Sequence, residues 1–322
     1  MIGIYLYNDF PHNSCGLKNH FSKSKFANKN YWVVADPIEA DVIIIFDFKE
    51  NRKLKQFISK HSEKFFVLIR TEPPSVLKSQ YTRELPVQLV IDLGKWNYLD
   101  NRLIYLEWPI CDDFFHHQPK NSVNKEERIL FLNSNKFGNF NTYYNLRRKI
   151  AYKSEGYVIT FGKGWSIFDF QIRNFIGNFI YNLIRFRLTE LRLMNFFFRE
   201  MLCLPKTSHL AKFELFKTFN YVLIIENDTS YMSEKLIEAL LLGKTVLYVG
   251  SDIDRIPFPI SEHIIIPKPS YAEVRKTIEE VYLGKYKTKT LKEDATILLA
   301  DWNADKVWSK LLEIISQSYS FN

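Results

Sequence analysis

Cysteine is scarce in this chain: three in 322 residues, Cys15, Cys111 and Cys203, odd in number and far apart. That excludes a disulfide framework and fits a reducing cytosol. No basic, apolar leader opens the sequence. "MIGIYLYNDF" reads as a short strand entering a loop, so neither a signal peptide nor a membrane anchor is expected. There is no repeat of fixed period, no Gly-x-Gly-x-x-Gly fingerprint and no Ser-His-Asp elbow. Metal-site spacing is also missing. Cys111, Asp112, Asp113, His116 and His117 cluster without the intervals of a tetrahedral site. Asp252-Ile253-Asp254 follows Gly250 and reads as turn and helix-start chemistry. No bound metal and no cofactor are expected. The net charge of +8 favours polyanionic partners or anionic lipid, but it is spread along the chain and gathers in no basic tail.

One apparent phosphate motif fails on inspection. Gly243-Lys244-Thr245 looks like the end of a P-loop, which needs a glycine five residues before the Gly-Lys pair and runs strand, loop, helix. The residue at that position is Glu238, and Leu236, Ile237, Leu240 and Leu241 recur at helical spacing ahead of Gly243. The β-branched run Thr245–Val249 follows, so the order is helix, glycine, strand, and Gly243 is expected to end the helix.

With 46% hydrophobic, 25% charged and 16% aromatic residues, the chain can bury a large core, and its length predicts two domains. Apolar runs at 2–7, 40–48, 65–70, 87–94 and 101–109 read as strands, and 52–64 reads as a helix. The charged stretch 116–128 is the linker candidate. A second series starts with "ILFLNSN" (129–135) and continues with a helix (141–155), a strand (157–162), "HIIIP" (263–267) and a helix (270–284). A last amphipathic helix presents Trp302, Val307, Trp308, Leu311, Leu312 and Ile315 on one side. Buried strands alternating with helices imply α/β domains with parallel sheets. The expected division is 1–120, 121–300 with an insertion at 166–205, and 301–322 as a terminal helix packing back on the first domain. Residues 168–204, dense in Phe, Ile and Leu, carry Arg173, Arg185, Arg187, Arg192 and Arg199, too many for a membrane span. Two readings stay open for them: packing helices, or an interfacial element with aromatics at the lipid boundary and arginines on headgroup phosphates.

Around the false P-loop lies a complete βαβ unit. "YVLIIEN" (221–227) is a buried strand that breaks into a polar loop, Ser233 can cap the helix, and Glu234 and Lys235 occupy its first turn. Ligands of such units bind beyond the carboxyl ends of the strands, near helix N-termini. Glu226, Asn227, Tyr231, Ser233, Glu234 and Lys235 would gather there, either as a binding site or as an ordinary polar loop with a capped helix.

These motifs resemble the α-1,3/α-1,4-fucosyltransferase family of inverting glycosyltransferases. The family's donor motif is a strand ending in Phe-Glu-Asn-Ser, a loop, then Tyr-Val-Thr-Glu-Lys and a helix. "IIENDTSYMSEK" supplies Glu226, Asn227, Tyr231, Ser233, Glu234 and Lys235 in the same order. "FLNSNKF", "NLRRK" and "YVITFG" are similar to the family's Ser-Asn segment, arginine and Gly-ended strand, with Arg147 the best match and Arg148 second. "RTEPPSV" is similar to its Glu-x-Pro stretch and marks Glu72. The chain departs from the pattern in a shorter loop before Tyr231, in Asp228 for serine and in Lys244-Thr245-Val246 for the proline-containing stretch. Because these positions border the donor pocket, the sugar stays open.

The resemblance implies a GT-B-like α/β fold: two Rossmann-like domains facing across a cleft, here with a helical insertion in the second. It implies transfer of fucose or a related sugar from a GDP-sugar to a glycan hydroxyl without a metal. Arg147 and Lys235 suit the diphosphate, Glu226 and Glu234 suit vicinal hydroxyls, and Asn227 and Tyr231 would position sugar and phosphates. Glu72, stiffened by Pro73 and Pro74, would be the general base. With neither anchor nor disulfides expected, the setting would be bacterial surface polysaccharide or lipopolysaccharide synthesis in the cytoplasm, with an oligosaccharide or lipid-linked glycan acceptor, no nucleic acid, and a peripheral contact with the inner membrane face if 168–204 is the interfacial element. The alternatives are an exostosin-like transferase using another nucleotide sugar, and a non-catalytic membrane- or polyanion-binding module.

Overall fold

The computed structural model describes residues 1–7, 21, 30–47, 52–71, 85–93, 103–116, 126–134, 143–154, 156–162, 165, 212–229, 231–251, 253–254, 256, 260–286 and 294–320. The segment 168–204, Glu72, Asp252, Cys15 and Cys203 lie outside them. The chain divides into two units. The first is Met1–His116 with Ser230–Glu234 and Thr296–Asn322, and the second is His117–Thr229 with Lys235–Ala295.

The first unit holds a six-stranded sheet in the order β2-β1-β3-β4-β5-β6. The strands are β1 (Ile2–Tyr7), β2 (Tyr31–Val34), β3 (Val42–Phe46), β4 (Phe65–Arg70), β5 (Leu89–Leu93) and β6 (Leu103–Leu106). All neighbours are parallel. Every residue of β3 and β4 is buried, as expected when both faces of a parallel sheet are covered. Alternation sorts them. Ile43, Ile45, Phe66 and Leu68 pack with Leu54 and Ile58 of helix α1 (Arg52–Lys60). Phe46 turns the other way, onto Trp308 of the last helix (Ala304–Ser320), edge to face at 6.4 Å. Val307, Trp308, Leu311, Leu312 and Ile315 are all buried, each contributing about 1.5–3 kcal/mol of apolar burial. Trp302 is buried too, but in a one-turn helix that precedes the last one. Strand β2 escapes the sequence reading because Trp32 and Val33 are exposed and only Tyr31 and Val34 are half-covered, which gives no period.

The second unit holds five parallel strands in the order β11-β10-β9-β7-β8. These are β7 (Ile129–Leu132), β8 (Val158–Phe161), β9 (Tyr221–Ile225), β10 (Thr245–Val249) and β11 (Ile264–Ile265). Helices α2 (Tyr144–Lys153) and α3 (Glu234–Leu241) lie between strands in sequence, and α4 (Tyr271–Tyr282) follows β11. Leu146 and Ile150 of α2 and Val274, Ile278 and Val281 of α4 pack on Ile129, Phe131, Leu223, Ile225, Leu247 and Val249. The chain leaves β7 for β8 on one side and then crosses to β9 on the other. The carboxyl ends of β7 and β9 therefore form a topological switch point, where open α/β sheets bind ligands.

Gly243 ends α3 as expected. Its φ of 69° is left-handed, its N–H donates to Leu240, and the Lys244 N–H reaches back to the Ala239 carbonyl. That pair of bonds is a Schellman cap. Glu238, where a P-loop would need glycine, is buried and paired with Lys212 at 2.6 Å. Helix α4 closes the same way at Gly284. Among the described residues no helix is long and apolar enough to cross a membrane.

Candidate functional site

The switch point is built by strand ends. Strand β9 stops at Ile225, and the Glu226 N–H still donates to the Val249 carbonyl at 2.7 Å, so the backbone stays in register one residue further. Glu226 is fully buried. It packs where residue 250 must be glycine: a Cβ there would lie 2.7 Å from Glu226 Cγ and 2.6 Å from Tyr248 Cζ. Burial, followed by the nearby Glu226 charge, pushes the Tyr248 phenol well above its ordinary range. Tyr248 therefore stays a neutral hydroxyl beside a carboxylate. Asn227 and Asp228 are also buried, and the Asn227 carbonyl accepts the Tyr143 N–H at 2.9 Å. Burial and then the Asp228 charge raise the Tyr143 phenol in the same direction.

Arg147, in the first turns of α2, is buried. Its Nε donates to the Ile225 carbonyl at 2.8 Å, and Nη2 donates to the same oxygen. Its guanidinium carbon lies 5.0 Å from the centre of the Tyr144 ring. A cation is thus locked onto the last carbonyl of β9, one residue from Glu226. Arg148 is buried as well and donates to Asn145 within its own helix.

Ser233 is buried and immediately precedes α3, whose first two residues, Glu234 and Lys235, are half-buried. Tyr231 to Glu234 cluster with the first unit. There Trp108 donates its indole N–H to the Met232 carbonyl at 2.7 Å and meets the Tyr231 ring edge to face at 6.3 Å. The motif read as one stretch is therefore divided: Glu226, Asn227 and Lys235 cluster with the second unit, and Tyr231, Ser233 and Glu234 with the first.

Glu72 lies outside the described residues, but the strand end leading to it is clear. Thr71, just past β4, donates its N–H to Asp47 Oδ1 at 2.7 Å and its hydroxyl to Asp47 Oδ2. Asp47 closes β3 with a left-handed φ of 45°. Beside it Arg70 and Asp92 form a buried two-pronged ion pair, at 2.5 and 3.0 Å. Among the described residues no group of three or more His, Cys, Asp or Glu side chains gathers for a metal. Asp112 and His116 face each other at 3.4 Å on an exposed short helix.

Sequence reasoning missed Asn133, Tyr143, Tyr248, Trp108 and the partners of Glu72's strand. Asn133 could have been found, because it is the first polar residue after the buried run "ILFL". Trp108 could not, being distant in sequence from the loop it holds.

No family model and no curated protein matches the chain. Solved structures do. A glycosyltransferase from Rickettsia africae aligns over 98% of each chain with 10% identity and a TM-score of 0.56. The Anabaena protein HepE, in complex with UDP-glucose, covers 98% of this chain and 100% of its own, with 12% identity and a TM-score of 0.59. An α1,3-fucosyltransferase covers 99% and 90%, with 15% identity and a TM-score of 0.52. At these identities the likeness shows the fold: a GT-B type of chain with two Rossmann-like parallel α/β units.

Proposed function

We propose that this protein is a glycosyltransferase that takes a sugar from a nucleotide diphosphate donor, GDP-fucose or a related GDP-sugar, and transfers it with inversion to a hydroxyl of a glycan acceptor. The observation that carries the reading is the switch-point end of β9. There a buried carboxylate, Glu226, and an arginine locked on Ile225 stand directly before the segment that leads into Lys235. The fold shared with solved glycosyltransferases supports it.

In this reading the leaving diphosphate is stabilised by Lys235, by the positive end of α3 and by the fixed charge of Arg147. Fixed charges in a partly dry site stabilise the transition state without reorganisation, so no divalent ion is needed for that task. Glu226 and Glu234 accept hydrogen bonds from hydroxyls of the donor. Asn227, Tyr231 and Ser233 orient it. Glu72 removes the proton of the acceptor hydroxyl. The acceptor is a precursor of bacterial surface polysaccharide or lipopolysaccharide, and the enzyme works in the cytoplasm, against the membrane through 168–204.

A second reading within the same fold is a transferase using a different nucleotide sugar. Asp228, a buried acid where the fucosyltransferase motif has serine, favours it, as does the likeness to HepE, whose structure holds UDP-glucose. A non-catalytic binding module is the third. Radiolabelled sugar transfer from GDP-fucose and UDP-glucose to a lipid-linked glycan fraction separates the three. Turnover that Glu72→Gln lowers about 100-fold or more supports the proposal. Turnover unaffected by both Glu72→Gln and Lys235→Ala removes it.

A further inference from the structure

Asn133 is the residue the proposed chemistry has not used. It follows β7 directly and is 2% exposed. Its main chain is held on every side. The N–H donates to the Phe161 carbonyl at 3.0 Å, and the carbonyl accepts the Trp165 indole N–H at 2.5 Å. A Cβ on Gly162, whose φ of 137° already favours glycine, would run into that same carbonyl. The side chain is the opposite case: among the described residues neither Oδ1 nor Nδ2 of the amide meets a hydrogen-bond partner. Burying an unpaired amide is unfavourable, and native structures leave few.

The topology says where this amide stands. Strand β7 pairs with β9 through Leu130 with Val222 and Phe131 with Leu223. Continuing that register sets Asn133 level with Ile225, whose carbonyl holds Arg147 and whose successor is Glu226. Alternation sets Asn133 on the face of Ile129 and Phe131, the face that α2 covers with Leu146 and Ile150.

Resting on the donor reading above, we infer that Asn133 is a further binding residue. Its amide takes a vicinal diol of the bound nucleotide sugar, accepting from one hydroxyl at Oδ1 and donating to the neighbouring oxygen from Nδ2. A phosphate offers acceptors only and would leave Oδ1 unpaired. Two adjacent hydroxyls match both halves of the amide. The ribose and the transferred sugar each carry such a pair.

The test uses the full chain with Asn133→Leu, which keeps the same branching of side-chain heavy atoms, and Asn133→Ala as a second variant. Melting temperature without ligand and calorimetric affinity for GDP, UDP, GDP-fucose and UDP-glucose are measured on each. Removing an amide that pairs with nothing among the described residues should leave the melting temperature of Asn133→Leu unchanged or raise it by about 2–4 °C. Affinity for the ligand that the wild type binds should fall about 10- to 100-fold in both variants. A loss shared by the nucleoside diphosphate and its sugar assigns the ribose diol, and a loss confined to the nucleotide sugar assigns the transferred sugar. Unchanged affinity, or a lower melting temperature in both variants, overturns the inference while leaving the donor reading standing. If the wild type binds none of the four compounds, the donor reading fails, and this inference with it.

Discussion

The carboxyl ends of the two sheets are built from the same kinds of residue and treat them differently. In the first unit, Arg70 answers Asp92 and Thr71 answers Asp47, so these buried polar groups at the carboxyl ends of β3, β4 and β5 close on one another. In the second unit, Arg147 is spent on a backbone carbonyl, Glu226 is packed against a phenol that burial keeps neutral, and the Asn133 amide pairs with nothing among the described residues. A closed set of polar partners makes scaffold. An open one in a buried crevice costs stability and repays it only when a ligand arrives. The first sheet end therefore holds a backbone position, while the second is the end to which the proposed function gives the donor.

The largest expected effect comes from breaking the closed side. Arg70→Met leaves Asp92 buried without its partner and should destabilise the protein by about 3–5 kcal/mol in chemical denaturation. The double variant Arg70→Met with Asp92→Leu should recover most of that loss. If the single change costs less than about 1 kcal/mol, the pair is not the scaffold described here. Next is Lys235→Ala, on the open side. It should lower the transfer rate by about 100- to 1000-fold, since the proposed function gives half-buried Lys235 the leaving diphosphate. A loss seen only as thermal instability would move Lys235 to the scaffold.

A smaller effect is expected at Gly162. Alanine there must adopt a left-handed φ and displace the Asn133 carbonyl, costing about 1–3 kcal/mol and weakening donor binding together with stability. Asn133→Leu separates those two quantities, so the pair of variants sharpens the contrast between main chain and side chain at one strand end. The smallest effect is a pH dependence. The folded pKa of Tyr248 lies above the unfolded one, so its contribution to stability is complete below about pH 10 and is lost as pH rises beyond it. Tyr248→Phe should flatten the alkaline limb of the stability curve. An identical limb in both proteins would detach the phenol from the account.

Much of the architecture could be read from the chain. Runs such as "VIIIF" and "FFVLIR", too uniformly apolar for a one-sided sheet, announced parallel strands covered on both faces, and they are. The helix-glycine-strand order around Gly243 was legible because a Schellman cap needs a left-handed residue just where the apolar period stops. The candidate site was legible only in its contiguous part. Glu226 to Lys235 lie in one stretch, but the Trp108 bond to Met232 and the meeting of Arg147 with Ile225 join residues far apart in sequence. Nor could sequence say that Arg147 would be engaged by backbone. That depends on the register of β9 beside β7, which no local pattern encodes.

Thermal melting of the full chain with GDP, UDP, CMP and their sugars tests the central claim most directly. If the open end of the second sheet is a donor site, GDP or GDP-fucose at 100 times its dissociation constant should stabilise the wild type by about 2.7 kcal/mol. Lys235→Ala should abolish most of that shift, and Arg148→Gln should leave it in place. A wild type whose melting temperature moves with none of these compounds, at millimolar concentration, would contradict the account.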